Sequence, residues 1–190
     1  MKLLLINSAE PENRTFVEPI ENIASQTEAN TTTVEYSSIP TNIDDYDAVI
    51  ISASPKGDDI VDTHLPLFEW VKTFRGAVLG ICAGHQLMGK LFGADLIRDQ
   101  EAEDGLMSVQ ITQADPIFEG HEKELTAEQQ HNDSITLPED FDLIATSSKC
   151  RVQAMRHKER PLYSVQWHPE KSNPEIISNF INEVVHKCSN

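Results

Sequence analysis

The chain has 190 residues, of which 39% are hydrophobic, and it carries a formal net charge of −16 at pH 7. This length suits one domain with a sizeable core, and no apolar run is long enough to span a bilayer. The negative charge argues against binding a nucleic-acid backbone, which requires a basic face. Three widely spaced cysteines predict neither a disulfide framework nor a zinc site. We therefore expect 1–190 to form one cytoplasmic domain without a metal or cofactor.

The first half of the chain alternates strand-like and helix-like segments. Three apolar or β-branched runs are predicted strands: Lys2–Asn7, Thr31–Tyr36 and Ala48–Ala53. Apolar residues recur at helical spacing over 16–24 and over Leu65–Phe74, and the turn-like segment 54–57 precedes the latter. Strands separated by helices predict a parallel sheet covered on both faces, with a site at the carboxyl ends of its strands.

After Gly93 the pattern changes to strand-like runs with short turns. Five segments have this character: Leu106–Thr112, Glu124–Gln130, Phe141–Thr146, Arg151–Arg156 and Leu162–Trp167. Short connections favour antiparallel pairing, and an amphipathic helix over 176–185 closes the chain. The predicted fold class is α/β, with a mostly parallel sheet flanked by helices and additional antiparallel strands in the C-terminal half.

The segment around Cys82 has the pattern of a nucleophile elbow. An apolar run, Ala77–Ile81, stops at Cys82, which has a glycine two residues before it and another two residues after it, and a helical pattern follows. The glycines let the chain reverse without a Cβ clash. A helix N-terminus favours the thiolate, and the Ala83 N–H can donate to an oxyanion. The alternative is that Cys82 is a buried and inert core residue.

A second motif, at 161–170, supplies the groups that a cysteine nucleophile needs. Pro169 keeps His168 out of the helical region, and in an extended chain Glu170 lies on the same side as His168. A nucleophile requires a base, and the base requires a third group to orient it. Cys82, His168 and Glu170 are therefore a candidate catalytic triad. Taken alone, His168 could be an ordinary exposed loop histidine.

These two motifs resemble those of class I (triad-type) glutamine amidotransferases. The matching segments are Gly-Ile-Cys-Ala-Gly-His-Gln at 80–86 and Trp-His-Pro-Glu at 167–170. The segments 101–103, 131–133 and 150–158 resemble most of all the stand-alone amidotransferase subunit of archaeal-type GMP synthetases. The resemblance extends from about Asp47 to Phe180, and it implies a class I glutamine amidotransferase (flavodoxin-like) fold.

The resemblance also implies the reaction and its partner. Cys82 would attack the side-chain amide of L-glutamine through a thioester intermediate, and the ammonia would pass to an ATP-dependent, GMP synthetase-like partner. Because the chain contains no G-x-x-x-x-G-K-[ST] segment, we expect ATP to bind elsewhere. The implied oxyanion donors are the backbone N–H groups of Ala83 and Ser54. The implied substrate contacts are Gln86, His131, Asn132 and Asp133, although Gln86 could instead be an exposed helix residue.

Two segments depart from the pattern of this family. The oxyanion turn reads Ser-Ala-Ser-Pro at 52–55 instead of Ser-Gly-Gly-Pro, and 7–12 lacks the usual Gly-Gly-Gln. Ala53 and Ser54 resist positive φ, so we expect an oxyanion hole that is distorted or that forms only on activation. Two alternatives therefore stay open: a free-standing γ-glutamyl hydrolase or transferase, and a non-catalytic regulatory subunit that retains the elbow as a scaffold.

Overall fold

The computed structural model describes residues 1–56 and 59–185. Within these ranges the strands are β1 Lys2–Asn7, β2 Asn30–Glu35, β3 Ala48–Ile51, β4 Ala77–Ile81, β5 Leu96–Ile97, β6 Glu103–Ile111, β7 Glu124–His131, β8 Ser134–Ile135, β9 Phe141–Thr146, β10 Ala154–His157 and β11 Leu162–Val165. The α-helices are α1 Val17–Ala24, α2 Asp59–His64, α3 Ala83–Leu91, α4 Pro169–Ser172 and α5 Pro174–Asn179. Short 3-10 helices occupy Tyr36–Ser38, Ile43–Asp45, Leu65–Lys72 and Pro116–Phe118, and a π-helix follows α5 at Phe180–Val184.

Nine of the strands in the described ranges form one sheet, in the order β2-β1-β3-β4-β11-β10-β9-β6-β7. The strands from β2 to β11 in this order pair in parallel. From β11 onward every neighbouring pair is antiparallel. Strands β5 and β8 form a separate antiparallel pair. The predicted α/β class, with antiparallel strands in the C-terminal half, is confirmed.

Helices cover both faces of the parallel half of the sheet. Along β1, Leu3 and Leu5 pack into one core with α1, α5 and the π-helix, whereas Leu4 packs on the opposite face. That second core contains Phe68 from the 3-10 helix and Leu87 from α3. Burial on both faces explains why the central strands are continuous apolar runs instead of alternating ones.

Several element boundaries differ from the sequence prediction. The helix expected over Leu65–Phe74 is a 3-10 helix, and a helix that was not predicted, α2, precedes it. The strand expected from Arg151 begins only at Ala154. A hydrogen-bonded turn at 147–150 precedes it, and the β9–β10 register shifts between Ala154 and Met155. The closing helix is divided into α5 and the π-helix. Part of the turn predicted at 54–57, and Cys188, lie outside the described residues.

Among the described residues, no helix is both long enough and apolar enough to cross a membrane.

Candidate active site

A cavity of about 290 Å³ opens at the carboxyl ends of the parallel strands β3, β4 and β11. Seven predicted site residues line it: Ser54, Cys82, Gln86, His131, Asn132, Asp133 and His168. The volume is at the small end of the range for ligand pockets, which is roughly 300–1,000 Å³. The carboxyl ends of parallel strands are the edge at which ligands bind in open α/β sheets.

Cys82 lies at a sharp and strained junction between β4 and α3. Its backbone angles are φ 50° and ψ −102°, a conformation that non-glycine residues rarely adopt. The Cys82 N–H donates to the carbonyl of Val165 at 2.9 Å, which fixes the elbow against the neighbouring strand β11. Cys82 is 6% exposed; it packs in the core beneath the sheet's carboxyl edge and also lines the cavity.

The two glycines around Cys82 are required by close packing. A Cβ atom at Gly80 would lie 2.5 Å from the carbonyl oxygen of Gly84, and one at Gly84 would lie 2.7 Å from the carbonyl oxygen of Ile51. Both approaches are too short for a side chain. Glycine therefore avoids a Cβ clash at the elbow, as the sequence predicted, and it allows α3 to pack directly on β3 and β4. The positive φ is at Cys82 itself.

His168 and Glu170 form a buried hydrogen-bonded pair. The Nδ1 atom of His168 lies 2.8 Å from Oε1 of Glu170, and both side chains are almost fully inaccessible. His168 has φ −102° and ψ 82°, outside the helical region, as expected before Pro169. The extended chain expected at Glu170 is wrong, because Glu170 lies in the first turn of α4. Proline at the first helical position favours this turn, which brings the carboxylate back to the ring.

Two further contacts fix the His168 residue. Its backbone N–H donates to the carbonyl of Glu128 at 2.9 Å, and its ring stacks on Phe16 with the ring centroids 5.4 Å apart. His168 is 1% exposed, so it is not an ordinary exposed loop histidine.

The environment of His168 favours its charged form. Burial of the ring lowers the pKa, but hydrogen bonds to the side chains of Cys82 and Glu170, together with their negative charges, outweigh burial and raise the pKa of His168 to about 9.

Gln166 lies beside the Cys82 thiol, and Gln86, which lines the cavity, is hydrogen-bonded to Gln166. The Nε2 group of Gln166 donates to Sγ of Cys82 at 3.7 Å, and Nε2 of Gln86 donates to Oε1 of Gln166 at 3.4 Å. Gln86 is 2% exposed, so it is not an exposed helix residue. Its own Oε1 is buried without a partner among the described residues and therefore available to accept a hydrogen bond.

The turn after β3 borders the cavity without positive φ. The described non-glycine residues with positive φ are Cys82 and Asp99, so Ala53 and Ser54 keep ordinary backbone angles. Ser54 lines the cavity, and Ala83 is the first residue of α3. The donation of these two N–H groups to an oxyanion remains a prediction.

The loop that connects β7 and β8 forms the opposite wall of the cavity. Asp133 is 4% exposed, and its Oδ1 accepts a hydrogen bond from the Asp99 N–H at 2.8 Å. The Nδ1 atom of His131 lies 3.0 Å from the Asp133 carbonyl oxygen, so a side chain at the start of the loop is hydrogen-bonded to the loop backbone. Contacts of this loop with a substrate remain predictions.

A second Cys-His-Glu grouping lies near this wall. Among the residues that the structure describes, one group of potential metal ligands was found, formed by Glu103, His131 and Cys150, whose ligand atoms lie within 4.8 Å of one another. Burial raises the pKa of the Cys150 thiol to about 12, whereas metal binding and nucleophilic attack both require a thiolate. The Glu103 carboxylate already accepts hydrogen bonds from Ser147 and Gln153. The donor set therefore fits a hydrogen-bonded cluster better than a metal centre or a nucleophile.

Three cavity-lining residues were not identified from the sequence: Phe16, Pro55 and Gln130. Phe16 belongs to neither of the two motifs and lies far from both of them in the chain. Gln166 was also missed, although it lies two residues before His168 in the same motif and alternation along the chain places both on one side.

Fold and cavity together define an α/β protein with a cysteine elbow facing a buried histidine–glutamate pair. The model of the glutamine amidotransferase class-I family matches residues 12–187. The chain therefore belongs to the class I glutamine amidotransferase family, as the two motifs predicted.

Relatives of known name are similar over most of their length. A protein from Archaeoglobus fulgidus, named as a subunit of glutamine-hydrolyzing GMP synthase, is 33% identical over 188 residues, which cover 95% of this chain and 97% of that protein. The protein of the same name from Pyrococcus abyssi is 36% identical over 137 residues, covering 70% and 72%. A crystal structure from Thermoplasma acidophilum, provisionally described as the corresponding GMP synthase subunit, superposes with a TM-score of 0.88 at 27% identity and covers 100% of this chain and 94% of that one.

Proposed function

We propose that this protein hydrolyses the side-chain amide of L-glutamine with a Cys82–His168–Glu170 triad and delivers the ammonia to a separate ATP-dependent synthetase. The observation that carries this proposal is the buried His168–Glu170 hydrogen bond beside a small cavity that both Cys82 and His168 line. A thiol, a base and an orienting acid in this order are the parts of a cysteine hydrolase.

The reaction follows from these three side chains. The Cys82 thiolate attacks the amide carbon, and the tetrahedral intermediate collapses as His168 gives its proton to the departing nitrogen. Ammonia leaves and a γ-glutamyl thioester remains on Cys82. His168 then removes a proton from water, which attacks the thioester and releases glutamate. Glu170 holds the imidazole in the orientation that both proton transfers require.

The proposal includes two backbone donors to the oxyanion. We assign the Ala83 N–H, at the N-terminus of α3, and the Ser54 N–H, in the turn after β3, as the donors. Loss of one such donor costs on the order of 10²–10³ in kcat at comparable sites. Gln86 and the loop His131–Asp133 would then contact the rest of the glutamine molecule.

The proposed partner is a GMP synthetase-like protein that carries the ATP site. The support is the name of a glutamine-hydrolyzing GMP synthase subunit, which the Archaeoglobus fulgidus relative carries and which this chain matches over nearly its whole length. Since the turn at Ala53 and Ser54 lacks glycine, a partner contact that reorders this turn would activate the site. We therefore infer that glutamine is hydrolysed at a useful rate only in the complex.

The test measures ammonia release from glutamine by the isolated chain and by the chain mixed with its cognate synthetase, ATP and the nucleotide acceptor of that synthetase. We expect a low rate alone, a large increase in the mixture, and none with Cys82→Ala. Full activity of the isolated chain that no synthetase changes would instead favour a free-standing γ-glutamyl hydrolase. Absence of activity in both states would favour a non-catalytic regulatory role.

A further inference from the structure

Glu103 is a buried carboxylate that lies outside the proposed triad. It begins β6, directly opposite His131 at the end of β7, and is 2% exposed. Ser147 and Gln153 donate to its two oxygens at 2.6 and 2.7 Å. Burial raises the pKa of Glu103, but hydrogen bonds from His131 and Ser147 and the charge of His131 outweigh it, so the pKa is lowered and the group stays ionised.

The His131 ring connects this carboxylate to the cavity. Its Nε2 lies 3.2 Å from Oε2 of Glu103 and 3.0 Å from Oε1 of Gln129, while its Nδ1 lies 3.0 Å from the carbonyl oxygen of Asp133. All three neighbouring atoms are hydrogen-bond acceptors. The ring is therefore fixed from both ends, and its position sets that of the loop at 131–133, which lines the cavity.

We propose that Glu103 is a positioning residue for glutamine binding, acting by holding His131 and the cavity wall at 131–133 in the geometry that receives the substrate. This inference rests on the proposed function, because it assumes that glutamine occupies the cavity beside Cys82. Glu103 itself touches neither the substrate nor the reacting atoms, and it does not line this cavity.

Loss of the Glu103 charge should disturb this wall because removing one partner of a buried hydrogen bond to a charged group leaves the other partner buried without a bond. In Glu103→Gln the side chain keeps its size but loses its charge, and one of its two oxygens becomes an NH₂ group. That group then faces the donors of Ser147, Gln153 or His131. The His131 ring loses its hydrogen bond to the carboxylate and moves, and the loop moves with it. Cys82, His168 and Glu170 lie on other elements and keep their contacts.

The experiment compares two alkylating reagents on Cys82. One is a chloroketone analogue of glutamine, which needs the whole substrate site, and the other is iodoacetamide, which needs only an accessible thiolate. For Glu103→Gln we expect the chloroketone rate to fall at least tenfold and the iodoacetamide rate to stay within about twofold of wild type. In the complex with the synthetase, the KM for glutamine should rise more than kcat falls.

The matched control is Glu124→Gln, which removes a carboxylate hydrogen-bonded to Ser108 at 2.6 Å on the same hairpin and away from the cavity. Both of its alkylation rates should equal those of wild type. If Glu103→Gln does not yield folded protein, Ser147→Ala removes one donor from the same carboxylate and should lower the chloroketone rate selectively but less.

Two results would overturn the positioning role. One is an unchanged chloroketone rate in these variants, and the other is an equal fall with both reagents, which would indicate general damage to the site. Failure of the proposed function looks different: the chloroketone would then leave Cys82 of the wild-type protein unmodified while iodoacetamide still reacted.

Discussion

Replacing Glu170 with glutamine tests the electrostatics of the His168 pair. The hydrogen bonds and negative charges of Cys82 and Glu170 raise the pKa of His168 from the ordinary 6.5 to about 9 against the opposing effect of burial. This difference corresponds to about 3 kcal/mol in favour of the charged ring. Glutamine keeps an oxygen that can accept from Nδ1 at the observed 2.8 Å, but it carries no charge.

The Glu170→Gln variant should therefore have a lower pKa at His168. Because the departing ammonia takes its proton from His168, activity should fall as pH rises through about 9 in wild type, and this alkaline limb should move down by about one pH unit or more in the variant. Turnover at neutral pH should fall less than after removal of Cys82, since the nucleophile is retained.

The pH dependence of stability has a defined sign. The pKa of His168 is higher in the folded state than in the unfolded state. Its contacts therefore stabilise the fold fully below about pH 6.5, and this contribution is lost as pH rises through about 9.

The assay for Glu170→Gln is the pH profile of kcat/KM in the complex, together with a titration of the His168 ring by NMR. The control is Glu175→Gln, which removes the carboxylate from a surface His121–Glu175 pair of the same 2.8 Å length. Superimposable profiles for wild type and Glu170→Gln would refute this reasoning.

Three further predictions concern the elbow, the second thiol and the oxyanion turn. Gly84→Ala should lower the free energy of unfolding by about 1–3 kcal/mol in urea titrations, because its Cβ would lie 2.7 Å from the Ile51 carbonyl oxygen; an unchanged midpoint would contradict the packing argument. Cys150→Ser should keep ammonia release by the complex within about twofold of wild type, because the pKa of about 12 leaves this thiol protonated; loss of activity with an intact fold would contradict it. Glycine at both Ala53 and Ser54 should raise ammonia release by the isolated chain, because it relieves the backbone restriction of the turn; an unchanged or lower rate would show that the turn does not limit activity.

The sequence predicted the parts of the site that depend on local pattern. Cys82 could be located because an apolar strand leads directly into a helix at this residue, with a glycine two residues to either side. His168 and Glu170 could be paired because both lie within one short motif. The wrong conformation at Glu170 came from continuing the strand past Pro169, whereas proline at the start of a helix favours a turn.

The parts that the sequence did not predict depend on contacts between distant segments. Phe16 stacks on His168 from a segment near the start of the chain, and nothing around Phe16 distinguishes it from a core residue. Glu103 faces His131 only because β6 and β7 pair in one particular register. Such pairings are set by the packing of the whole sheet, so no local motif contains them.

The most direct test of the account is the site at which a glutamine analogue reacts. After limited labelling of the wild-type protein with a diazoketone or chloroketone analogue of glutamine, peptide mapping by mass spectrometry should find the label on Cys82. Cys150, which is buried with a raised pKa, should remain unmodified. Prior incubation with L-glutamine should slow the reaction. Equal labelling of all three thiols, or labelling of Cys150 ahead of Cys82, would contradict the assignment of Cys82 as the nucleophile.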